Sequence, residues 1–476
     1  MAAPINRWFI LVLVCVAQFM VVLDATIVNV ALPSIQTGLH FSQLNLQWIV
    51  NIYTLFFGGF LLLGGRASDL LGRQRLFLAG LALFTAASLV NGIATSGGML
   101  IAGRAVQGLG AALVSPAALS IVTTTFAEGK ERTRALGIWS AIAAGGGAVG
   151  LLLGGLLTDT LSWRWVFFIN LPIGIAAFAL GLRYIHNTRA AQRPESADVV
   201  GAVTVTGGLL LLVFDIVKAQ TWGWTSFNTL GLFVASIALL AIFVAVEARS
   251  KAPLIRLGIF RTRSLTSSNV AMLFVMSGLM AMFYFASIYV QEVLGWSPLK
   301  AGAAFVPVTA GIVVGAGLAQ SLVQRLGVRV VPVIGIAMAA AGLVLLSGIP
   351  THGTYLANLL PGLAVMSVGM GLTFVPITLI ATTGLEDEDA GLASGLFNTS
   401  QQVGGALGLA VLSSVAANKT HHAHEATSAA NLVDGFQLAF LAGAGLMAAA
   451  IAVIVVTIRR HHVALVATGE PAMVGA

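Results

Sequence analysis

Residues 8–33 read WFILVLVCVAQFMVVLDATIVNVALP, an apolar run from Trp8 to Pro33 broken by a single ionisable residue, Asp24. About 20 apolar residues in a helix suffice to cross the hydrocarbon core of a bilayer, where backbone N–H and C=O groups find no partners except one another. This run is long enough, carries Arg7 on its amino side and shows no small-residue cleavage pattern. It predicts a retained transmembrane helix rather than a signal peptide.

The rest of the chain has the same character. Of 476 residues, 58% are hydrophobic and 9% charged, with 54 glycines and one cysteine. A soluble domain carries about 25% charged residues, so the composition excludes a soluble enzyme of any fold. The lone Cys15 excludes a disulfide framework and any cysteine-built metal site. Apolar stretches of spanning length fall at 8–30, 47–65, 76–94, 100–122, 136–157, 165–183, 199–217, 229–247, 268–290, 302–323, 330–349, 358–380, 392–415 and 436–458, which predicts fourteen transmembrane helices in an all-α membrane protein.

The charges orient these spans. With the amino terminus placed inside, nineteen of the 24 Lys and Arg residues fall in inside connections, four (Arg164, Lys218, Lys300 and Lys419) fall outside, and Arg104 lies within a span. Such an excess sets the orientation, with both termini cytoplasmic. The net charge of +7 is thereby explained by anionic lipid headgroups and needs no nucleic acid.

The chain also repeats itself. Gly137-x8-Gly146-Gly147-x2-Gly150 returns 258 residues later as Gly395-x8-Gly404-Gly405-x2-Gly408, and Gly103 to Gly110 is echoed by Gly362 to Gly369 at an offset of 259. This offset carries span 4 onto span 12 and span 5 onto span 13. The expected organisation is an amino-terminal six-helix bundle (1–190, spans 1–6), a linker with two inserted helices and an interfacial segment (191–265, spans 7–8), a carboxy-terminal six-helix bundle (266–460, spans 9–14) and a cytoplasmic tail (461–476). Two related halves around a midplane site are an architecture of secondary transporters. The stretch Ser250 to Ser264, with alternating basic and apolar residues, reads as a tether along the cytoplasmic interface.

Residues that break the apolar rule point to function. Asp24 lies about 24 Å along a core about 30 Å thick, and Arg104 reaches a similar depth in span 4, so the two can pair. An ionisable residue at mid-span costs about 2.5–3.5 kcal/mol on insertion scales, which marks such residues as functional. Burial favours the neutral acid and a neighbouring guanidinium favours the carboxylate. A conformational change that alters hydration or the Arg104 distance can therefore load and unload a proton at Asp24. The repeat places Leu363 opposite Arg104 and Met366 opposite Gln107, so the proton chemistry is expected in the amino-terminal half.

Asn29, Gln107, Asp215, Asn398 and Gln402 are candidate polar residues of a substrate cavity. Asp215 reads equally well as an interfacial carboxylate beside Lys218, and Asn398, Gln401 and Gln402 as interhelical hydrogen-bonding groups. Glu292 and the run Glu386 to Asp389 read as solvated. His421, His422, His424, His461 and His462 are of a type that binds metal, but with no accompanying cysteine and one distant acid, Glu425, no metal site is expected.

Several segments carry a resemblance. Gly65-Arg66-Ala67-Ser68-Asp69-Leu70-Leu71-Gly72-Arg73 resembles the Gly-x-x-x-Asp-x-x-Gly-Arg loop of the major facilitator superfamily. Leu23 to Pro33, Arg104-x2-Gln107-Gly108, Trp163-Arg164-Trp165 through Gly174, and Gly295-Trp296-Ser297-Pro298-Leu299 look like signatures of its fourteen-span drug:proton antiporter family. The likeness covers nearly the whole chain. It implies the major facilitator fold, a gating loop at Gly65, Asp69, Gly72 and Arg73, and an antiporter-motif helix through Gly146, Gly150, Gly154 and Gly155. Leu151 stands where the family has a proline, and Leu70 where it has a basic residue.

The expected function is export of amphipathic small molecules in exchange for protons by alternating access. No enzyme activity and no cofactor are expected, and the proton motive force supplies the energy. The expected partners are a small-molecule substrate, protons and membrane lipid, with the chain acting as a monomer in the plasma membrane. The alternative is a facilitator or proton-linked importer of a metabolite on the same fold, and Leu151 is the feature that keeps it open.

Overall fold

The computed structural model describes residues 7–126, 130–185, 198–250, 253–382, 387–421 and 429–458. Among the described residues there is no strand, and helices account for nearly all of the chain. The long helices are α1 (Arg7–Leu39), α2 (Trp48–Leu71), α3 (Arg73–Gly92), α4 (Gly97–Thr125), α5 (Lys130–Thr160), α6 (Asn170–Tyr184), α7 (Val199–Trp222), α8 (Phe227–Arg249), α9 (Arg263–Ile288), α10 (Val306–Leu326), α11 (Val330–Leu346), α12 (Leu360–Thr382), α13 (Asp387–His421) and α14 (Ala429–Thr457). Eleven helical segments among the described residues are long and apolar enough to cross a membrane, and the end of α5, Val149–Thr160, and α11, Val330–Leu346, are shorter apolar helical stretches. The protein is a multi-pass membrane protein.

Four expected spans are not continuous α-helices, the twelfth because it begins in a π-helical turn, Tyr355–Leu359. The sixth begins as a single turn, Trp165–Phe168, breaks at Ile169 and resumes as α6 at Asn170. Pro172 accounts for the break, because its ring clashes with the carbonyl four residues back, at Phe168, and it has no N–H to donate. The tenth starts as a short helix, Pro298–Ala304, ahead of α10, and α9 runs on into a π-helical turn, Tyr289–Val293. In the expected interfacial stretch, Leu257–Arg261 forms a 3-10 turn.

The chain falls into two compact units. Unit 1 comprises Met1–Leu210, Ser236–Leu254 and Ser297–Ala304, and unit 2 comprises Leu211–Ala235, Ile255–Trp296 and Phe305–Ala476. In unit 1, Met20, Val21, Tyr53, Phe77, Phe84 and Phe126 sit in one buried apolar cluster fed by α1 to α4. Here α5 lies so close to α1 that a Cβ added at Gly154 would meet the Ile27 carbonyl oxygen at 2.5 Å. Small residues at such crossings let backbones pack in van der Waals contact, the main attraction between helices in lipid.

Unit 2 repeats this device with the duplicated glycines. Position 404, the counterpart of Gly146, faces α9, where an added Cβ would lie 2.6 Å from Leu273 Cα. Ser277 on α9 donates its Oγ hydrogen to the Gly404 carbonyl at 2.9 Å, and Ser400 Oγ donates to Asn269 Oδ1 at 2.7 Å. At the end of α9, Tyr289 donates its hydroxyl to the Pro350 carbonyl at 2.6 Å.

Candidate functional site

Asp24 is fully buried in α1 and Arg104, 1% exposed, reaches it from α4. Arg104 Nη1 donates to Asp24 Oδ2 in a short charge-assisted contact and also donates to Gln107 Oε1 at 2.9 Å. Arg104 Nε donates to the Ile49 carbonyl of α2 at 3.1 Å, and the guanidinium lies over the Tyr53 ring, 4.1 Å from its centroid. Phe167, in the turn before α6, offers a second ring at 5.9 Å. The guanidinium is thus held by a carboxylate, an amide, a main-chain carbonyl and an aromatic face, partners that its planar fork suits and a lysine ammonium does not.

Around the carboxylate stands a second set of polar groups. Gln107 Nε2 donates to Asp24 Oδ1 at 2.6 Å and to Ser88 Oγ at 2.7 Å, while its Oε1 also accepts from Asn91 Nδ2 at 2.8 Å. Asn170 Nδ2 donates to Asp24 Oδ1 at 2.9 Å and to Ser88 Oγ at 3.3 Å. Ser88, Asn91, Gln107 and Asn170 are each fully buried. Side chains of α4 and α6 thus contact the carboxylate of α1, and groups of α2 and α3 hold those side chains in place. Both donor hydrogens and both carbonyl positions of Gln107 are used, so it ties the acid, the guanidinium and α3 into one network. Removing one partner from such a buried pair leaves an uncompensated charge and costs about 3–5 kcal/mol.

The expected pair is therefore in contact, and Gln107 belongs to it. Reading the sequence missed Ser88, Asn91 and Tyr53, and Asn170 figured only within a motif. A signal was present, since Ser88 and Asn91 in span 3 and Arg104 and Gln107 in span 4 are each three residues apart and so share a helical face. Asn29, 5% exposed, donates to the Ala25 and Thr26 carbonyls of its own helix, both at 3.3 Å.

The other expected residues lie as follows. Gly65 is in the last turns of α2, and Gly72, with φ 103°, makes the break between α2 and α3, a backbone that glycine adopts without a Cβ clash. Arg73 opens α3, and the side chain of Asp69 lies outside the described residues. Gly146, Gly150 and Gly154 face α1, while a Cβ at Gly155 would lie 2.9 Å from Leu299 Cα in the Pro298–Ala304 turn. Asp215, Asn398 and Gln402 belong to unit 2. Asp215 is 3% exposed, and its Oδ1 has no hydrogen-bond partner. Asn398 is exposed and donates to the Ser394 carbonyl of its own helix at 3.0 Å. The expected histidine cluster lies outside the described residues, apart from the backbone of His421, and among the described residues no three His, Cys, Asp or Glu side chains gather to hold a metal ion.

A buried acid and arginine inside a bundle of membrane-spanning helices are the equipment of a transporter rather than an enzyme. The chain belongs to the Major Facilitator Superfamily, whose profile matches residues 14–409. It is 39% identical over 465 residues to the puromycin resistance protein pur8 of Streptomyces alboniger, covering 95% of this chain and 92% of that protein. It is 42% identical over 415 residues to the cephamycin export protein CmcT of Amycolatopsis lactamdurans (86% and 85% covered). With the multidrug resistance protein Stp of Mycobacterium tuberculosis it shares 36% identity over 414 residues (87% and 76% covered). Among solved structures, the nucleoside transporter NupG superposes with a TM-score of 0.67 at 11% identity, covering 95% of this chain and 100% of that one. A bacterial homologue of the human lysosomal transporter Spinster, inward-facing and unoccupied, gives 0.65 at 15% identity (94% and 96% covered). These structural likenesses are of fold.

Proposed function

We propose that the protein exports amphipathic small molecules, antibiotics or toxic metabolites among them, in exchange for protons at Asp24. The observation that carries this reading is the sealed network of Asp24, Arg104 and Gln107. The relatives support the cargo class, being named for puromycin resistance, cephamycin export and multidrug resistance.

Coupling follows from the network's energetics. Protonating Asp24 removes the countercharge of Arg104, which is still pinned by Ile49, Gln107 and Tyr53. A buried charge left alone is costly, so the protonated protein is driven to a different arrangement in which the guanidinium is compensated. Proton binding and conformation are linked in this way, as alternating access requires. One proton entering down about 100 mV yields about 2.3 kcal/mol, enough for more than tenfold accumulation of cargo.

On this reading the chain is a monomer in the plasma membrane with fourteen spans, two of them inserted between the six-helix halves, and both termini are cytoplasmic. Its segment Gly65, Asp69, Gly72 and Arg73, the end of α2 with the break before α3, serves gating, and it needs no cofactor beyond the proton motive force. The test is a susceptibility and efflux screen of expressing cells against dyes, quaternary amines and antibiotics, with and without a proton uncoupler. Raised tolerance and uncoupler-sensitive efflux of at least one compound are expected. Efflux that equilibrates cargo regardless of the uncoupler would instead identify a facilitator.

A further inference from the structure

Of the two amides bonded to Asp24, Gln107 has both acceptor positions filled and Asn170 has an unused acceptor. Its Nδ2 serves Asp24 Oδ1 at 2.9 Å and Ser88 Oγ at 3.3 Å, while its Oδ1 is buried with no hydrogen-bond partner. An amide carbonyl left unpaired in a sealed site costs about 1–3 kcal/mol. The break that Pro172 imposes sets Asn170 as the first residue of α6, so its side chain is carried by the start of a helix and not by its middle.

The two forms of Asp24 ask for opposite partners. The carboxylate accepts only, and takes N–H bonds from Gln107 and Asn170 on Oδ1 and from Arg104 on Oδ2. Once an O–H bond forms on Oδ1, with the proton taken from solvent water or hydronium, that oxygen needs an acceptor opposite it. Gln107 cannot supply one, because turning its amide would set its Nε2 hydrogens against the donors of Arg104 and Asn91. Asn91 also has a free Oδ1, but its bond goes to Gln107 and not to Asp24. Asn170 loses no accepted bond by turning, and Ser88, which now accepts from two amides, can rotate its hydroxyl to donate to the turned carbonyl.

We propose that Asn170 is a positioning residue whose side-chain amide turns over with the protonation of Asp24, donating from Nδ2 to the carboxylate and accepting the acid's O–H at Oδ1. This rests on the reading that Asp24 exchanges the transported proton. When the proton leaves for water on the opposite side, the amide returns and the network of the ionised state closes again.

The test is pH-difference infrared spectroscopy of the purified full chain in lipid, combined with gradient-driven efflux. The carbonyl band of protonated Asp24 is identified by its loss in Asp24→Asn, and a wild-type protein with no such band would fail the underlying reading, not only this inference. In Asn170→Leu the band is expected to move to higher frequency, as for an acid whose O–H has lost its acceptor, and efflux to slow about tenfold. Asn170→Ser, which keeps a group able to donate and accept, is expected to bring the band back toward the wild-type position. Should Asn170→Leu not fold, wild type labelled with 13C at asparagine carbonyls is expected to show a pH-dependent side-chain band that Asn170→Ser lacks. A protonated-Asp24 band unchanged in Asn170→Leu, or no asparagine difference band in the labelled protein, would overturn the proposal.

Discussion

Gln107 donates to Asp24 Oδ1 at 2.6 Å, so the acid is closed off by an amide from the same helical face that carries Arg104. The glutamine also accepts from Arg104 Nη1 at 2.9 Å and from Asn91 Nδ2 at 2.8 Å. Gln107→Leu therefore removes one donor from Asp24 and leaves donors of Arg104 and Asn91 without acceptors. Each buried orphan costs about 1–3 kcal/mol. Thermal unfolding in detergent, followed by tryptophan fluorescence, is expected to show a clear loss of stability, and transport is expected to fall with it.

Arg104→Lys keeps the charge but not the shape. An ammonium has no counterpart of Nε to reach the Ile49 carbonyl while another nitrogen holds Asp24, and it loses the flat stacking on Tyr53. At least a tenfold drop in the initial rate of gradient-driven efflux is expected in proteoliposomes. A rate equal to wild type would mean that charge alone suffices at this position.

The packing of α5 on α1 gives a steric contrast. A Cβ at Gly154 would lie 2.5 Å from the Ile27 carbonyl oxygen, whereas one at Gly147 would first meet Thr26 Cγ2 at 3.9 Å. Gly154→Val is expected to force the helices apart and abolish transport, because a rigid backbone carbonyl cannot give way. Gly147→Ala is expected to be neutral, and the pair can be compared by yield, melting temperature and efflux.

The parts of the fold and site legible in the sequence were those with a physical signature along the chain. Apolar length marks helices in lipid and Gly72 marks a tight turn between close-packed helices, whereas the break before α6 at Pro172 lies inside a span expected to be continuous at 165–183. Asp24 and Arg104 were legible because ionisable groups are costly in lipid and therefore rare there. The spacing of Ser88 and Asn91 puts them on one face but did not single them out, nor was Asn170 singled out, since small polar side chains in such helices routinely bond their own backbone, as Thr26 does to the Val22 carbonyl at 3.2 Å. Only the packing of α3, α4 and α6 around α1 separates the residues that reach Asp24 from those that serve their own helix. Asn398 shows the converse, a polar residue expected at a cavity that bonds its own helix at Ser394.

The central claim is that Asp24 carries the exchanged proton, and its most direct measurement is cargo efflux from proteoliposomes under an imposed pH gradient, comparing wild type with Asp24→Asn. An asparagine keeps the size of the side chain and accepts from Arg104, but it cannot load and release a proton. The Asp24→Asn variant is expected to fold, to bind cargo and to lose all gradient-driven accumulation. Undiminished gradient-driven efflux by folded Asp24→Asn protein would contradict it.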